Sequence, residues 1–320
     1  MEVRFSIIVA NYNKALFIEE MINSVLTQTY VGFELIIVDD SSTDNSINIF
    51  QYFERSDKRI KLFKNEINRG ANFSRNFGSS KANYDYLIFL DSDDVLLKDC
   101  LLNRSKVIER NEDNDMWIFS MKSFKGNLNN IVTEWIPPSD SLLDGFLSHR
   151  LPWTISQPVW HKNFFHKIGG FDESFNRLQD VELHTRALLN HSRVFISNNI
   201  ADCLYRVDEG RITNIENHFL NFTSGALKYF SKFYSLVEKK KLLFNTLLYV
   251  IDNIWYAKKN GSISISFANR IVEQMINEAE NLSNDRKRVS ALKQYWKVKS
   301  KFNYNIKGLR YVFGKFIEYV

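Results

Sequence analysis

The 320-residue chain predicts an α/β fold, a mainly parallel sheet flanked by helices, with an α-helical C-terminal extension. Three observations carry this. Apolar runs of strand length alternate with helical patterns through the first half, as expected where crossover helices join parallel strands. Three of those runs end in clusters of short polar residues, and from about Asn214 onward the period is helical.

Taken in order, the first strand is Arg4–Ala10, ending in Ala10-Asn11-Tyr12-Asn13. Leu16, Ile18, Ile22, Val25 and Leu26 then approximate one helical stripe. The second strand, Glu34–Val38, runs into Asp39-Asp40-Ser41-Ser42, and Ser42-Thr-Asp-Asn-Ser offers N-cap chemistry to a helix bearing Ile47, Phe50 and Phe53. Strands three, four and five are Ile60–Phe63, Tyr86–Leu90 and Met116–Ser120. The sheet signal fades near Pro137-Pro138, and Leu151–Trp160 reads as a new layer. Four helices follow, at Phe219–Lys241, Leu242–Lys259, Ile265–Asn281 and Arg286 to about Lys299. A last amphipathic helix places Ile306, Leu309, Phe313, Phe316, Ile317 and Val320 on one stripe.

Composition narrows the class. With 44% hydrophobic and 14% aromatic residues the chain can bury a large core. Cys100 and Cys203 form neither a disulfide framework nor a spaced metal motif. No apolar run approaches the about 18 residues of a membrane span, and the N-terminal one is too short for a signal peptide, so a cytoplasmic location is expected. The net charge of +5 conceals an asymmetry: residues 221–320 hold 18 Lys/Arg against 7 Asp/Glu, and residues 1–220 hold 24 against 30. The basic helical region suits the inner face of an anionic membrane, through a peripheral contact, or an anionic partner, and its amphipathic helix equally suits docking on the catalytic domain or on a second copy in a homodimer. Without a recognisable binding module, nucleic acid is not an expected partner.

In an open sheet of this kind ligands sit outside the carboxyl ends of the strands, so the polar strand ends point to one cleft. The most informative is Asp91-Ser92-Asp93-Asp94 after strand four. Asp91 and Asp93 share a face if strand geometry persists, whereas a turn after Leu90 crowds all three carboxylates together. Oxygen-only ligands at this spacing suit Mg²⁺ or Mn²⁺ held together with substrate phosphates. The same residues also suit a solvated acidic turn that caps the next helix.

Six segments together, in order and spacing, carry a family resemblance: Phe5-Ser-Ile-Ile-Val-Ala-Asn-Tyr-Asn, Leu35-Ile-Ile-Val-Asp-Asp-Ser-Ser-Thr-Asp, Asn68-Arg-Gly-Ala-Asn-Phe-Ser-Arg-Asn, Phe89-Leu-Asp-Ser-Asp-Asp, Gly169-Gly-Phe-Asp and Gln179-Asp-Val-Glu-Leu. The chain resembles the inverting glycosyltransferases of family 2, with the Rossmann-like GT-A nucleotide-sugar fold. The resemblance covers roughly residues 3–213. It implies a GT-A domain over 1–213, with a nucleotide-binding half at about 1–120 and an acceptor half at about 121–213, and leaves 214–320 as a helical region. It also implies a UDP-sugar donor, a divalent Mn or Mg cofactor and a glycan or lipid-linked glycan acceptor.

By the same resemblance Ala10, Tyr12 and Asp40 surround uracil, which an aromatic face and an imide-accepting carboxylate suit chemically. Asp39 takes a structural, capping role. Asn68, Gly70, Arg75 and Asn76 fall beside the diphosphate and donor sugar, with Arg75 equally suited to pair with the acidic cluster. Asp91 and Asp93 are the Asp-x-Asp metal signature, with Ser92 on the nucleotide side and Asp94 adjacent. Asp180 matches the catalytic base, with Glu182 its rival, and Gln179 stands where relatives commonly carry Glu. Asp208 stands where many carry a metal- or diphosphate-binding histidine, and Arg206 or Arg211 suits a phosphate contact. Trp153, Gln157 and Trp160 precede the base, where indole faces suit a sugar acceptor and core packing equally. Two other readings stay open: a catalytically silent nucleotide-sugar-binding scaffold, and a nucleotidyltransferase, which the lack of a Gly-rich phosphate loop near strand one disfavours.

Overall fold

A computed structural model describes residues 2–197, 201–207, 214–302, 305 and 308–319. In chain order the elements are β1 (Phe5–Asn11), α1 (Ala15–Leu26), β2 (Phe33–Asp39), α2 (Ser46–Ser56), β3 (Ile60–Lys64), α3 (Ala71–Ser80), β4 (Tyr86–Phe89), β5 (Val95–Leu96), α4 (Cys100–Arg110), β6 (Met116–Ile118), β7 (Met121–Phe124), β8 (Ile131–Trp135), α5 (Leu142–Leu147), β9 (Pro158–His161), α6 (Lys162–Lys167), α7 (Gln179–Leu189), β10 (Val194–Ile196), β11 (Cys203–Arg206), α8 (Ile215–Tyr234), α9 (Leu243–Lys259), α10 (Ile265–Ser283), α11 (Arg286–Lys301) and α12 (Leu309–Tyr319). They form two compact units. One comprises Met1–Asp140, Pro152–Ser174 and Arg186–Glu209; the other comprises Ser141–Leu151, Phe175–Thr185 and Gly210–Val320.

The first unit is a mixed sheet flanked by helices. Among the described residues its main sheet has seven strands in the order β10-β6-β9-β4-β1-β2-β3. β3, β2, β1 and β4 run parallel, so their polar carboxyl ends share one edge. Strands covered on both faces read as continuous apolar runs. Ile7, Val9, Leu35 and Ile37 accordingly cluster with Ile18, Met21 and Ile22 of α1. The alternate residues Ile8, Ile36 and Val38 meet α3 at Gly78, where an added Cβ would lie 2.6 Å from the Ile8 methyl.

Two expectations need correcting. The segment 151–160 is not a separate layer, because β9 inserts antiparallel between β4 and β6. Its Pro158 stands at the strand start, where a missing N–H is tolerated. Trp160 is therefore 1% exposed, opposite Leu87 and Met116 and packed on Phe164 and Phe165. It is a core residue and not an acceptor platform, and Trp153 is buried as well.

A smaller sheet, β5-β11-β7-β8, lies in the same unit. Arg104 of α4, fully buried, donates to both Asp202 oxygens at 2.8 and 2.7 Å. That pairing gives the guanidinium the fork geometry its burial requires.

In the second unit α8 to α12 enclose a core that includes Phe230, Phe244, Ile251, Met275 and Leu292. Asn214, Ser264 and Asp285 accept from backbone amides at the starts of α8, α10 and α11, satisfying donors that helix geometry leaves unpaired.

Candidate active site

The parallel register sets Asn11 beside Asp39. Asp39 accepts from Asn11 Nδ2 at 2.9 Å, the Ser42 amide at 2.9 Å and the Ser42 hydroxyl at 2.6 Å. Its carboxylate is thus spent on the turn that leads into α2.

Asp40 holds a different loop. It accepts from Asn65 Nδ2 at 2.7 Å, the Arg69 amide at 2.9 Å and the Gly70 amide at 2.7 Å, and its carbonyl accepts from Asn68 Nδ2 at 3.2 Å. Gly70 adopts φ +88°, a conformation that strains any L side chain, with open space where a Cβ would sit. A carboxylate has about four acceptor positions, so three donors leave Asp40 capacity for one more. Tyr12, at the end of β1, is 47% exposed. Its ring is an open surface that follows the strand next to the one that leads to Asp40, and is not part of the core.

At the end of β4 the carboxylates diverge. Asp91 accepts from Arg75 at 2.8 Å, and Asp93, 4% exposed, accepts from Lys14 Nζ at 2.7 Å. Asp94 turns inward to the Ser156 hydroxyl at 3.1 Å and the Arg206 amide at 3.0 Å. Burial, then the charges of Asp91 and Asp93, hold the Asp94 carboxyl well above the usual carboxylate range, although its two hydrogen bonds pull the other way. Ser92 is buried between them in sequence. Among the described residues no three acidic, His or Cys side chains converge in a geometry ready for an ion.

Two hard oxygen donors do fit a small divalent cation that also takes substrate oxygens. Of the three carboxylates, Asp91 has a third of its side chain open and Asp93 is 4% exposed, and these two would be the ones to reach such an ion. Each already faces a resident cationic side chain, which offsets repulsion between the two carboxylates.

Arg206 has other partners than phosphate. Its guanidinium lies between the Phe17 and Phe124 rings, 4.7 and 4.5 Å from their centroids. It donates to the Asp93 carbonyl at 2.9 Å and pairs with Glu20. The distance in sequence between these groups hid this from the pattern. Arg206 therefore fixes the backbone of the acidic turn. Asn76 likewise clamps the Gly169-Gly170-Phe171 turn: it donates to the Phe171 carbonyl at 2.9 Å and accepts from the Phe171 amide at 2.8 Å. A Cβ on Gly170 would lie 2.6 Å from Asn76 Oδ1, which explains the glycine. Lys14, on Asp93, is a site residue that sequence reasoning missed; a lysine directly after a polar strand end was the available signal.

Asp180 and Gln179 belong to the other unit, in the first turn of α7, both partly exposed. Asp180 Oδ1 accepts from the Val181 amide at 3.0 Å. Glu182 is wholly buried against Lys232 at 2.7 Å, and this ion pair removes it as a rival base. Asp208 and Arg211 lie outside the described residues.

A family model described as "Glycosyl transferase family 2" matches residues 6–171, just over half of the chain. An uncharacterised glycosyltransferase of Haemophilus influenzae is 46% identical over 96 residues, 30% of this chain and 38% of that protein. The Escherichia coli UDP-Glc:alpha-D-GlcNAc-diphosphoundecaprenol beta-1,3-glucosyltransferase WfgD is 37% identical over 133 residues, 42% of this chain and 51% of WfgD. The chain thus spans less than two thirds of either relative. Among solved structures, Staphylococcus aureus TarS 1–349 in complex with UDP superposes with TM-score 0.64 at 18% identity, covering 98% of this chain and 92% of that one. The same protein in complex with UDP-GlcNAc gives 0.59 at the same identity and coverage. At that identity the likeness establishes the fold.

Proposed function

Since the chain belongs to glycosyl transferase family 2, matched over residues 6–171, we propose that it moves a hexosyl or N-acetylhexosaminyl group from a UDP-sugar to a hydroxyl of a glycan acceptor, free or lipid-linked, with inversion at the sugar carbon, in surface polysaccharide biosynthesis. The observation that carries the reading is the strand-end pair Asp91 and Asp93, each held by a basic side chain, in the same unit as the open Tyr12 ring and the loop that Asp40 fixes. The donor class is supported by the printed substrate of WfgD and by the UDP and UDP-GlcNAc complexes of TarS.

In this reading Tyr12 stacks on uracil while Asp40 accepts its imide N–H. Asp91 and Asp93 hold Mg²⁺ or Mn²⁺, which when bound neutralises charge on the departing diphosphate. Arg75 and Lys14 stay beside those carboxylates and add positive charge toward the same phosphates. Asp180 takes the proton from the acceptor hydroxyl as its oxygen attacks the sugar from the face opposite UDP. The C–O bond to UDP breaks as the new glycosidic bond forms.

Calorimetric titration of UDP with and without Mn²⁺ tests the donor half. Binding should be metal-dependent in the wild type and lost in Asp93→Ala. Asp180→Asn should keep UDP affinity and lose transfer by about 10²–10⁴-fold, the range of a general base. Unchanged turnover in Asp180→Asn removes the assigned base. Tight donor binding with no transfer or hydrolysis by the wild type, across a broad acceptor panel, replaces the enzyme with a silent sugar-nucleotide-binding scaffold.

A further inference from the structure

α12 is apolar on two sides, and among the described residues one of them is packed. Ile317 is wholly buried, its carbonyl accepts from Arg288 Nε of α11 at 2.8 Å, and Phe313 packs on Tyr295 with centroids 5.3 Å apart. That face docks the helix onto α11. The other face carries Tyr311, Val312, Phe316 and Tyr319, exposed by 70, 61, 51 and 82%. Val312, Phe316 and Tyr319 follow at i, i+4 and i+7, which sets them in one row. Beside the row, α11 and α12 leave an open groove of about 800 Å³ walled by Ala291, Val312, Phe313 and Phe316, with the exposed Arg286 and Lys287 also in its lining.

Four large side chains in water on one short helix mark a contact surface and not chance exposure. Charge selects the occupant. Residues 286–320 contain ten Lys/Arg and one acidic residue, Glu318; Arg288, Lys293, Lys299, Arg310 and Lys315 are taken up in ion pairs, and Arg286 and Lys287 stand exposed at the groove itself. A second copy would set two such segments against each other, and like charges in contact oppose association. A surface of anionic lipid headgroups has the opposite sign and accepts aromatic and aliphatic side chains at its boundary. No helix among the described residues is long and apolar enough to cross a membrane, so the contact is with the surface.

We infer that the outward face of α12, with the groove it shares with α11, is a docking surface for an anionic lipid bilayer. Val312, Phe316 and the tyrosines enter the interface while Arg286 and Lys287 meet the phosphates. The inference is independent of which nucleotide sugar is the donor.

The test is co-sedimentation of the full chain with vesicles of phosphatidylglycerol and phosphatidylcholine in equal parts, against phosphatidylcholine alone, at low and high salt. The wild type should partition onto the anionic vesicles at least about tenfold more strongly than onto neutral ones, and less at high salt. Val312→Glu/Phe316→Glu and Arg286→Glu/Lys287→Glu should each lower that partition about tenfold or more while keeping the wild-type melting temperature. If the first pair shifts the melting temperature, the second, on exposed positions of α11, decides. Equal partition onto both vesicle types, or anionic binding that neither pair reduces, overturns the inference. A wild-type dimer in light scattering that Val312→Glu/Phe316→Glu dissociates, without vesicle binding, assigns the face to a second copy instead.

Discussion

Tyr12 and Asp40 stand on neighbouring strand ends and carry different loads. Asp40 is almost wholly buried and organises the 65–70 loop through three donors. Asp40→Asn replaces one acceptor oxygen with an amide that faces another N–H. That should cost about 1–3 kcal/mol, the penalty for an unsatisfied buried group. Tyr12 is half in solvent, so Tyr12→Ala should change stability by no more than about 0.5 kcal/mol. Its loss should instead weaken UDP binding by about 5- to 100-fold, the worth of one base–aromatic stack. Urea unfolding and UDP calorimetry on both variants separate the roles. A Tyr12→Ala protein that unfolds as easily as Asp40→Asn, or that binds UDP as the wild type does, contradicts the assignment.

At the scale of elements, α3 links the sheet to the site. Its start is the Gly70 loop on Asp40, and its middle carries Arg75 to Asp91. Gly78 seats it against β1 and β2, with Ile8 Cγ2 only 2.6 Å from a would-be Cβ. Gly78→Ala gains about 1 kcal/mol of helix propensity. The clash is with a β-branched side chain that has little rotamer freedom, and overpacking of this kind costs about 1–3 kcal/mol. A net loss of stability up to about 2 kcal/mol follows, with weaker UDP binding as α3 lifts. Unfolding at wild-type denaturant concentration together with unchanged UDP affinity would show that α3 is not held this way. Elements of this kind were legible in the sequence because their signals are long. The strands β1 to β4 announce themselves by apolar runs on a period the chain cannot hide, and their polar ends point to the site. The four-residue β9 carries no such signal, and its insertion between β4 and β6 buries Trp160. Asp91, Asp93 and Asp94 were legible as a cluster. Their divergence was not, because Lys14, Ser156 and Arg206, which set it, come from distant segments.

Over the whole molecule, the response to acid is divided between the units. In the second, burial alone pushes His184 down to about 3, and burial with the nearby Arg310 charge pushes His149 down to about 4. His184 packs on Phe146 and His149 on Tyr249, and burial there disfavours the charged imidazolium. Each ring is neutral when folded and takes up a proton on unfolding below its ordinary value of 6.5. The unfolded state therefore binds more protons, and stability rises with pH in this range. The contribution is complete above about pH 6.5 and falls away as pH drops toward 4 for His149 and 3 for His184. The slope is at most about 1.4 kcal/mol per pH unit for each histidine. In the first unit Glu34 adds a loss of the same sign only at lower pH. Its burial raises the carboxyl, but Lys61, Ser6 and the Asn83 amide together bring it below its usual 4.5. Asp94 acts in the opposite sense, since its raised value makes the neutral form the stabilising one, lost as pH rises. Substitution at a histidine isolates its share of the slope from the opposing share of Asp94. In urea unfolding between pH 7 and 5, His184→Phe, which keeps the ring contact with Phe146, should remove up to about 1.4 kcal/mol per pH unit of the rise in stability with pH. A slope that the substitution leaves untouched would place the acid sensitivity outside this buried ring.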